Sequence, residues 1–409
     1  MLIAFYYIWQ TILGSLNLIV PTIIIGIILF IGFKKIPFFK PWQIKLPMIT
    51  TVAIIFLIAL NVQPAIFEFP PFIKSYGPGI SGSIPFKNVA AFFKMKSKMD
   101  QVADIAQDPN AVPPAITRTE PATVKFSIET KEVIAEMAPG VIFNYWTFDG
   151  KIPGPMLRVR EGDMVELTLK NSITSVHGHN IDLHAVTGPG GGAAVTDIGP
   201  GESKTLKFKA LNPGLYVYHC AHPNVPAHMA HGMYGMILVE PKEGLPKVDK
   251  EFYVMQGDFY AVDPIGAKGL QVFDAHRMLD GLPTYIVFNG KTNSLTGSNM
   301  KAKVGDKVRI YFGNGSVSQI SSFHVIGEIF DTVYPEAAIG SEPHKNIQTT
   351  IVPAGGATIV EFGLEVPGNN ILVDHALSRM DRGAWGVLKV EGEPNKEIYD
   401  GVSSNSSGH

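Results

Sequence analysis

The segment NPGLYVYHCAHPNVPAHMAHGMYGMILVE, residues 212–240, contains the clearest indication of how this chain folds. Its ends, GLYVYHC and YGMILVE, are short runs rich in aromatic and β-branched residues, which are typical of strands when Gly, Pro and Asn bound them. A histidine-rich loop joins the two runs. Similar runs, among them DMVELTLKN and KTLKFKAL, alternate with turn residues from Ala115 onward. The pattern predicts an all-β sandwich.

The β-rich pattern then repeats after about 150 residues, close to the length of one domain. Three pairs of segments correspond: REGDMVELTLKN (160–171) with KVGDKVRIYFGN (303–314), DIGPGESKTLKF (197–208) with TIVPAGGATIVEF (350–362), and NPGLYVYHC (212–220) with VPGNNILVDH (366–375). We therefore predict two homologous β-sandwich domains at about 115–243 and 250–393. The second copy has no cysteine where the first has Cys220.

Composition excludes several classes of protein. The chain has 409 residues, which suits two or three domains, and a formal net charge of −2, which argues against a nucleic-acid partner. Its mean hydropathy of +0.16 is high for a soluble enzyme. The single cysteine, Cys220, excludes an intrachain disulfide and the two-cysteine attachment of a c-type haem.

The first 67 residues contain two uncharged stretches, at about 8–33 and 46–67, each long enough for a spanning helix. A signal peptide is the alternative, but the first stretch lacks a basic beginning and a small-residue cleavage site. The loop between them contains four lysines, which the positive-inside rule places in the cytoplasm: Lys34, Lys35, Lys40 and Lys45. We therefore predict a bacterial inner-membrane anchor at residues 1–67, with the rest of the chain in the periplasm.

A linker at 68–114 follows the predicted anchor. Turn and extended signals such as YGPGISGSIP and DPNAVPPA dominate it. Apolar residues recur at helical spacing between them, which predicts an amphipathic helix at about 87–107. The C-terminal tail, 394–409, ends in the polar sequence GVSSNSSGH and is predicted to be disordered.

Seven of the twelve histidines lie between residues 177 and 231. Cys220, His228 and Met233 place a thiolate, an imidazole and a thioether on one loop between two strands. Two histidines, a cysteine and a weakly bound methionine form the blue-copper electron-transfer site, and soft sulfur ligands favour copper. The second histidine must come from another strand, and His179 is the best candidate.

Strand alternation predicts a second metal beside the first. Successive side chains of a strand point to opposite faces, so His219 and Cys220 cannot readily bind the same ion. His179 and His184 are an odd number of residues apart, which lets His179 join Cys220 while His184 joins His219. Asp182 shares the parity of His184, so its carboxylate is expected near the second metal, where it can hold or deliver a proton.

Two histidines leave the second metal short of ligands, and the second domain contains further candidates. Two lie in apolar strand settings of the second domain, His324 in SSFHVIG and His375 in ILVDHAL, and the repeat aligns His375 with His219 and Cys220. His276 and His344 lie in polar, loop-like surroundings and are weaker candidates. We expect His177, His222 and His231 to be loop residues or neighbours of ligands.

Four segments together resemble the signature segments of copper nitrite reductases of the two-domain cupredoxin type: HNIDLHAVTGPGGG, YVYHCAHPNVPAHMAHGM, SSFHVIG and ILVDHAL. The resemblance covers about residues 120–393. It implies type 1 copper ligands His179, Cys220, His228 and Met233, and type 2 copper ligands His184, His219 and His375. It also implies a homotrimer in which His375 comes from the neighbouring subunit. Asp182 and His324 match the residues that surround nitrite, Ile326 matches the aliphatic residue above the copper, and Thr349 matches one that orients His324.

The reaction that this resemblance implies is dissimilatory reduction of nitrite to nitric oxide and water, as in denitrification. It uses one electron and two protons, and two coppers per chain. The predicted membrane spans depart from the usual soluble enzymes. The expected electron donor is therefore a cupredoxin, a cytochrome c or a membrane-held donor.

Two other functions compete with this hypothesis. A two-domain laccase-like multicopper oxidase needs a trinuclear centre with about eight histidines, including an HCH triplet, and here Ala221 follows Cys220. A membrane-anchored electron-transfer cupredoxin explains the Cys220 loop but gives no role to the second group of histidines. Copper content separates the three: one per chain for the carrier, two for the reductase and four for the oxidase.

Overall fold

The structure is a computed structural model and describes Thr51 and residues 100–401. Apart from Thr51, the two predicted membrane spans lie outside the described residues, as do residues 68–99 of the predicted linker and residues 402–409 of the tail. Among the residues that are described, no helix is both long and apolar enough to cross a membrane.

The first half of the described chain consists of nine strands and two short α-helices. Their bounds are β1 Asp100–Gln101, β2 Thr123–Ala138, β3 Val141–Phe148, β4 Leu157–Arg160, β5 Met164–Asn171, β6 Asp182–Leu183, α1 Ala193–Thr196, β7 Ser203–Lys209, β8 Gly214–His219, α2 Val225–Ala230 and β9 Tyr234–Glu240. A 3-10 turn at Pro189–Gly192 precedes α1. The predicted strands GLYVYHC and YGMILVE correspond to β8 and β9.

The second half repeats this plan with eleven strands and one short α-helix. Their bounds are β10 Lys250–Phe259, β11 Gly269–Leu270, α3 Ala275–Leu279, β12 Tyr285–Phe288, β13 Leu295–Lys303, β14 Lys307–Asn314, β15 Ser321–Ile326, β16 Thr332–Tyr334, β17 Thr349–Val352, β18 Ala357–Gly363, β19 Gly368–Asp374 and β20 Trp385–Glu391. Two further 3-10 turns lie at Pro335–Ala337 and Leu377–Arg382.

The two halves pair their strands in the same way. In the first, β2 pairs parallel with β5, β5 antiparallel with β7, and β8 antiparallel with β9. In the second, β10 pairs parallel with β14, β14 antiparallel with β18, and β19 antiparallel with β20. Each half thus forms two sheets, ordered β3-β2-β5-β7 and β4-β9-β8-β6 in the first, and β12-β10-β14-β18-β16 and β13-β20-β19-β15-β17 in the second. The short strand β11 of the second half extends the first of these sheets by pairing parallel with β3. The predicted all-β fold is confirmed.

Each sandwich buries its own apolar core, and a third apolar cluster joins residues of both halves. Cys220 and Met233 lie in the core of the first sandwich. The joining cluster includes Val217 on β8 and Ile359 on β18, which belong to different sandwiches. The strand β8 therefore contacts the first core on one side and the second sandwich on the other, which fixes the backbone that ends at His219.

The helix predicted at about 87–107 is wrong where the structure can test it. Residues 100–101 form β1, which pairs parallel with Val133 and Ile134 of β2. Ile105 is fully buried, and its carbonyl oxygen accepts a hydrogen bond from the Ile152 amide at 2.9 Å. The apolar residues of this segment pack against the first sandwich in an extended conformation, because strand edges there offer backbone partners.

Candidate metal centres

The first group of predicted ligands converges from three separate segments. The His179 backbone forms an isolated bridge with Ile198, with amide-to-carbonyl distances of 3.0 and 2.9 Å. Cys220 follows the last residue of β8, and His228 lies in α2. The Cys220 amide donates to the Met233 carbonyl oxygen at 3.1 Å, so both ends of the loop are held together. All four side chains are buried.

The donor atoms of this group fit a copper ion. The His179 Nδ1 atom lies 3.3 Å from His228 Nδ1 and 3.8 Å from Cys220 Sγ, and His228 Nδ1 lies 3.3 Å from Cys220 Sγ. Taking the distances in zinc sites as a guide, about 2.0 Å to nitrogen and 2.3 Å to sulfur, ligands around a trigonal metal are about 3.5–3.7 Å apart. Two imidazoles, a thiol and a thioether are also the blue-copper donor set.

Burial shifts the pKa values of these three side chains and so determines which of them carry a proton before a metal binds. It lowers the pKa of His179 and lowers that of His228 far below the usual range, so both rings are neutral and have a lone pair to donate. Burial raises the pKa of the Cys220 thiol to about 12. Because a metal binds the thiolate, metal binding must displace the thiol proton.

The second group comprises Asp182, His184 and His219, whose donor atoms all lie within 4.8 Å of one another. In the antiparallel pairing of β6 with β8, Asp182 is directly opposite His219. The His184 and His219 Nε2 atoms are 3.1 Å apart, and the Asp182 carboxylate is 3.9 Å from His219 Nε2. Burial, and next the nearby His219, lower the pKa of His184. Two imidazoles and a carboxylate thus offer one donor atom each to a single ion.

The two groups are joined by one peptide unit. The His219 ring turns toward His184, whereas the Cys220 thiol points toward His179 and His228. The His219 Nδ1 atom lies 3.1 Å from the Cys220 carbonyl oxygen, and this contact leaves Nε2 facing the second group. The structure therefore places two separate donor sets on opposite sides of the same backbone.

The predicted residues of the second domain form a different pair. His324 on β15 and His375 just after β19 have ring centroids 5.3 Å apart. Neither belongs to the second group within one chain, and His375 is exposed. Thr349 is opposite His324 in the pairing of β15 with β17, but the His324 Nδ1 atom contacts the Gln348 carbonyl oxygen at 2.5 Å. Ile326 is half-buried two residues further along β15.

Comparison with known proteins identifies the family. A family model described as multicopper oxidase matches residues 129–244. The copper-containing nitrite reductase of Neisseria gonorrhoeae is 56% identical over 289 residues, covering 70% of this chain and 73% of that protein. The chain belongs to the copper-containing nitrite reductases. It is therefore an oxidoreductase that contains copper, as the sequence predicted.

Solved structures agree with this assignment. The copper nitrite reductase from Nitrosomonas europaea aligns with a TM-score of 0.60 at 34% identity, covering 67% of this chain and 96% of that one. A structure described as a multicopper oxidase aligns with a TM-score of 0.56 at 28% identity, covering 66% of this chain and 89% of that one. The predicted cupredoxin fold is confirmed, and the nitrite reductases and the oxidases share it.

Sequence reasoning missed two residues of this reductase that contact the first group. Glu132 on β2 lies 3.1 Å from the Nε2 atom of His179. Trp146 on β3 packs edge-on to His228, with ring centroids 4.6 Å apart. Glu132 and Trp146 are opposite each other in the pairing of β2 with β3. Both stand in an ordinary strand pattern far from the histidines in sequence, so no local signal marked them.

The other histidines of the cluster surround the first group without joining it. Trp146 lies between the rings of His177 and His231, 4.2 Å from each centroid. The His222 Nδ1 atom contacts Asp197 Oδ1 at 2.6 Å on the half-exposed side of the site. Outside the cluster, His276 is exposed on α3, and the backbone of His344 pairs with Val333.

The glycine-rich turn after His184 closes over the Asp182 carboxylate. Gly191 has a φ of +55°, and a Cβ atom there would lie 1.8 Å from Asp182 Oδ1. Only glycine permits this left-handed conformation and this close approach together. The turn therefore limits the positions that the carboxylate can adopt beside His219.

Proposed function

We propose that the chain reduces nitrite to nitric oxide and water, consuming one electron and two protons, with one type 1 and one type 2 copper per chain. The observation that carries the proposal is the adjacency of His219 and Cys220, whose side chains face two separate donor sets. When bound, the coppers supply electron storage and, at the type 2 site, a Lewis acid for the substrate. The protein residues supply position, insulation and protons.

For the type 1 site, the proposed ligands are His179, Cys220, His228 and Met233. Their burial excludes water, and the loop between β8 and β9 is held by backbone hydrogen bonds at both ends. A rigid donor set needs little rearrangement when its metal changes oxidation state, which favours fast electron transfer. The His219–Cys220 backbone provides the short covalent path between the two donor sets.

For the type 2 site, the proposed ligands are His184 and His219 with His375 of a neighbouring subunit, in a homotrimer. Within one chain, the second group contains two histidines, His184 and His219. The side chains of His184 and His375 are both exposed, so each can reach a neighbouring subunit. Three histidine ligands leave one position open for substrate, which distinguishes a catalytic site from a closed structural one. Exposure of two ligand side chains is what a site between subunits requires.

Complementation tests this sharing of ligands. His219→Ala and His375→Ala are each expected to lose type 2 copper and turnover. Subunits of the two variants, produced together, should regain both, because one variant supplies the intact His219 and the other the intact His375. Mixed protein that stays inactive, although its subunits associate, would place all the ligands within one chain.

Proton delivery is assigned to Asp182 and His324. The Asp182 carboxylate lies 3.9 Å from His219 Nε2, close to the open position. His324 is half-buried with its Nδ1 on the Gln348 carbonyl oxygen, so its Nε2 atom is free to face the substrate. This contact with Gln348 also orients the His324 ring. Thr349, the next residue, pairs with His324 between β17 and β15 and is proposed to help hold that orientation. Ile326 is proposed to limit the space above the type 2 copper.

Residues 1–67 are proposed to anchor the chain in a bacterial inner membrane, with the catalytic domains in the periplasm. The support is the pair of long uncharged stretches and the lysines between them. A cysteine introduced near Lys40 should be shielded from impermeant reagents in intact cells, whereas one near Ser81 should react. Reversed labelling would overturn this topology. A periplasmic enzyme could accept electrons from a cupredoxin, a cytochrome c or a membrane-held donor.

Activity measurement tests the function itself. Purified, copper-loaded protein with an artificial electron donor should form nitric oxide from nitrite, and Cys220→Ala should reduce this turnover because the path from the donor is lost. A Cys220→Ala variant that reduces nitrite at the wild-type rate with the same donor would contradict the proposed electron path through His219–Cys220. Absence of nitric oxide from the wild-type protein would contradict the function.

A further inference from the structure

A buried carboxylate on β2 collects hydrogen bonds from the segment that leads to His179. Glu132 is only 5% exposed. Its oxygens accept from the Val176 amide at 3.2 Å and from the His177 amide at 3.2 Å. They also contact the His177 Nδ1 and His179 Nε2 atoms, each at 3.1 Å. A buried charge needs such partners, and here every partner lies within residues 176–179.

The two nitrogens of His179 face different partners. The Nε2 atom contacts the Glu132 carboxylate, while Nδ1 faces Cys220 Sγ at 3.8 Å and His228 Nδ1 at 3.3 Å. A carboxylate can only accept hydrogen bonds, so the ring proton belongs on Nε2. Nδ1 then holds the lone pair, directed at the donor set. The contact thus selects the tautomer that can bind a metal.

We propose that Glu132 is a positioning residue for the type 1 copper, which fixes the tautomer and orientation of His179 and lowers the reduction potential of the site. The inference rests on the proposed function. A carboxylate that accepts the outer N–H of a ligand histidine increases the basicity of the ligand nitrogen. Its negative charge, held in a buried site, also favours the oxidised and more positive metal.

The reduction potential of the type 1 copper distinguishes this role from a purely structural one, in which Glu132 would only hold residues 176–179 in place. Glu132→Gln keeps the size of the side chain and one acceptor oxygen but removes the charge. Relative to the wild type, we expect type 1 copper to bind about 10–100-fold more weakly. In copper-loaded protein we expect at least a tenfold shift of the Cu(I)/Cu(II) ratio toward Cu(I) at a given potential, equivalent to a rise of about 59 mV for one electron. The thiolate–copper absorption should shift as well.

Glu136→Gln is the matched control. Glu136 lies on the same strand and is exposed. Its carboxylate accepts one hydrogen bond, from the Gly140 amide at 3.3 Å. This variant should keep the wild-type potential and absorption. Unchanged potential and absorption in copper-loaded Glu132→Gln would overturn the inference. A wild-type protein without thiolate–copper absorption would overturn the proposed type 1 site, and the inference with it.

A second measurement needs no variant. In the metal-free protein, nitrogen-edited NMR spectra of the histidine rings should show His179 protonated at Nε2, with slow proton exchange because the contact is buried. A His179 ring protonated at Nδ1 would contradict the proposed hydrogen bond. This measurement still decides the inference if Glu132→Gln fails to fold.

Discussion

The turn that covers Asp182 offers the sharpest test of the proposed catalytic arrangement. A Cβ atom on Gly191 would lie 1.8 Å from Asp182 Oδ1, 2.9 Å from its Cγ and 3.1 Å from the Leu183 carbonyl oxygen. An ordinary carbon–oxygen contact is about 3.3 Å, so in Gly191→Ala the carboxylate oxygen must move by about 1.5 Å. The Leu183 carbonyl oxygen leaves the Cβ atom little room to shift, and the carboxylate is expected to turn away from His219.

A displacement of about 1 Å at a reacting group can reduce turnover about 100-fold. We therefore expect Gly191→Ala to keep two coppers per chain and the thiolate–copper absorption, and to lose about 100-fold in nitrite turnover. The left-handed alanine adds about 1–2 kcal/mol of destabilisation. Turnover with an artificial donor, copper analysis and thermal unfolding measure the three effects separately.

Gly190→Ala is the matched control for that loss. Gly190 has nearly the same conformation, with a φ of +60°, but its Cβ atom would meet only the Ala193 side chain at 3.8 Å. The control should show similar destabilisation and nearly wild-type turnover. Equal loss of turnover in both variants, or full turnover in Gly191→Ala, would refute the positioning of Asp182 by this turn.

Three further predictions concern other parts of the molecule. Cys220→Ala should abolish the thiolate–copper absorption and leave the type 2 copper bound; loss of both coppers with the fold intact would contradict two separate donor sets. Asp182→Asn and His324→Ala should each keep both coppers, lose about 10²–10⁴-fold in turnover, show a flatter pH dependence and combine non-additively; loss of type 2 copper would show that the residue is a ligand. Burial raises the pKa of Asp258 to about 6, so the folded state favours the protonated acid, and this contribution to stability is present below pH 4 and lost as the pH rises through 6, by about 3 kcal/mol. Buried histidines with a lowered pKa gain stability over the same pH range, so the contribution of Asp258 is measured as a difference between two proteins. Between pH 4 and pH 8, the free energy of unfolding should change less favourably in the wild type than in Asp258→Asn, by about 3 kcal/mol; equal changes in both proteins would contradict the prediction.

Strand alternation predicts which of the two groups each candidate side chain faces. His219 and Cys220 are neighbours at the end of one strand, so the alternation of side chains alone assigns them to different faces. The same argument applied to His179 and His184, although the structure has a strand only at Asp182–Leu183 and holds His179 through Ile198. The two side chains nevertheless divide as expected, since His179 faces Cys220 and His184 faces His219.

Contacts that depend on strand pairing could not be predicted. Glu132 lies 47 positions before His179, and only the packing of β2 against the segment after β5 brings them together. The packing of residues 100–107 on the first sandwich was likewise hidden, since their apolar spacing also suits a helix. The repeat singled out His375, but the proposed pairing of His375 with His184 requires a second subunit, which no pattern within one chain describes.

The most direct test of the account is the stoichiometry of nitrite reduction by the full, copper-loaded chain. With two coppers per chain and excess artificial donor, we predict one nitric oxide formed for each nitrite and each electron consumed, with loss of the activity when the second copper alone is removed. Four coppers per chain with dioxygen reduction and no nitric oxide would instead identify an oxidase. One copper per chain and no turnover of either substrate would identify an electron carrier, and either result would contradict the account.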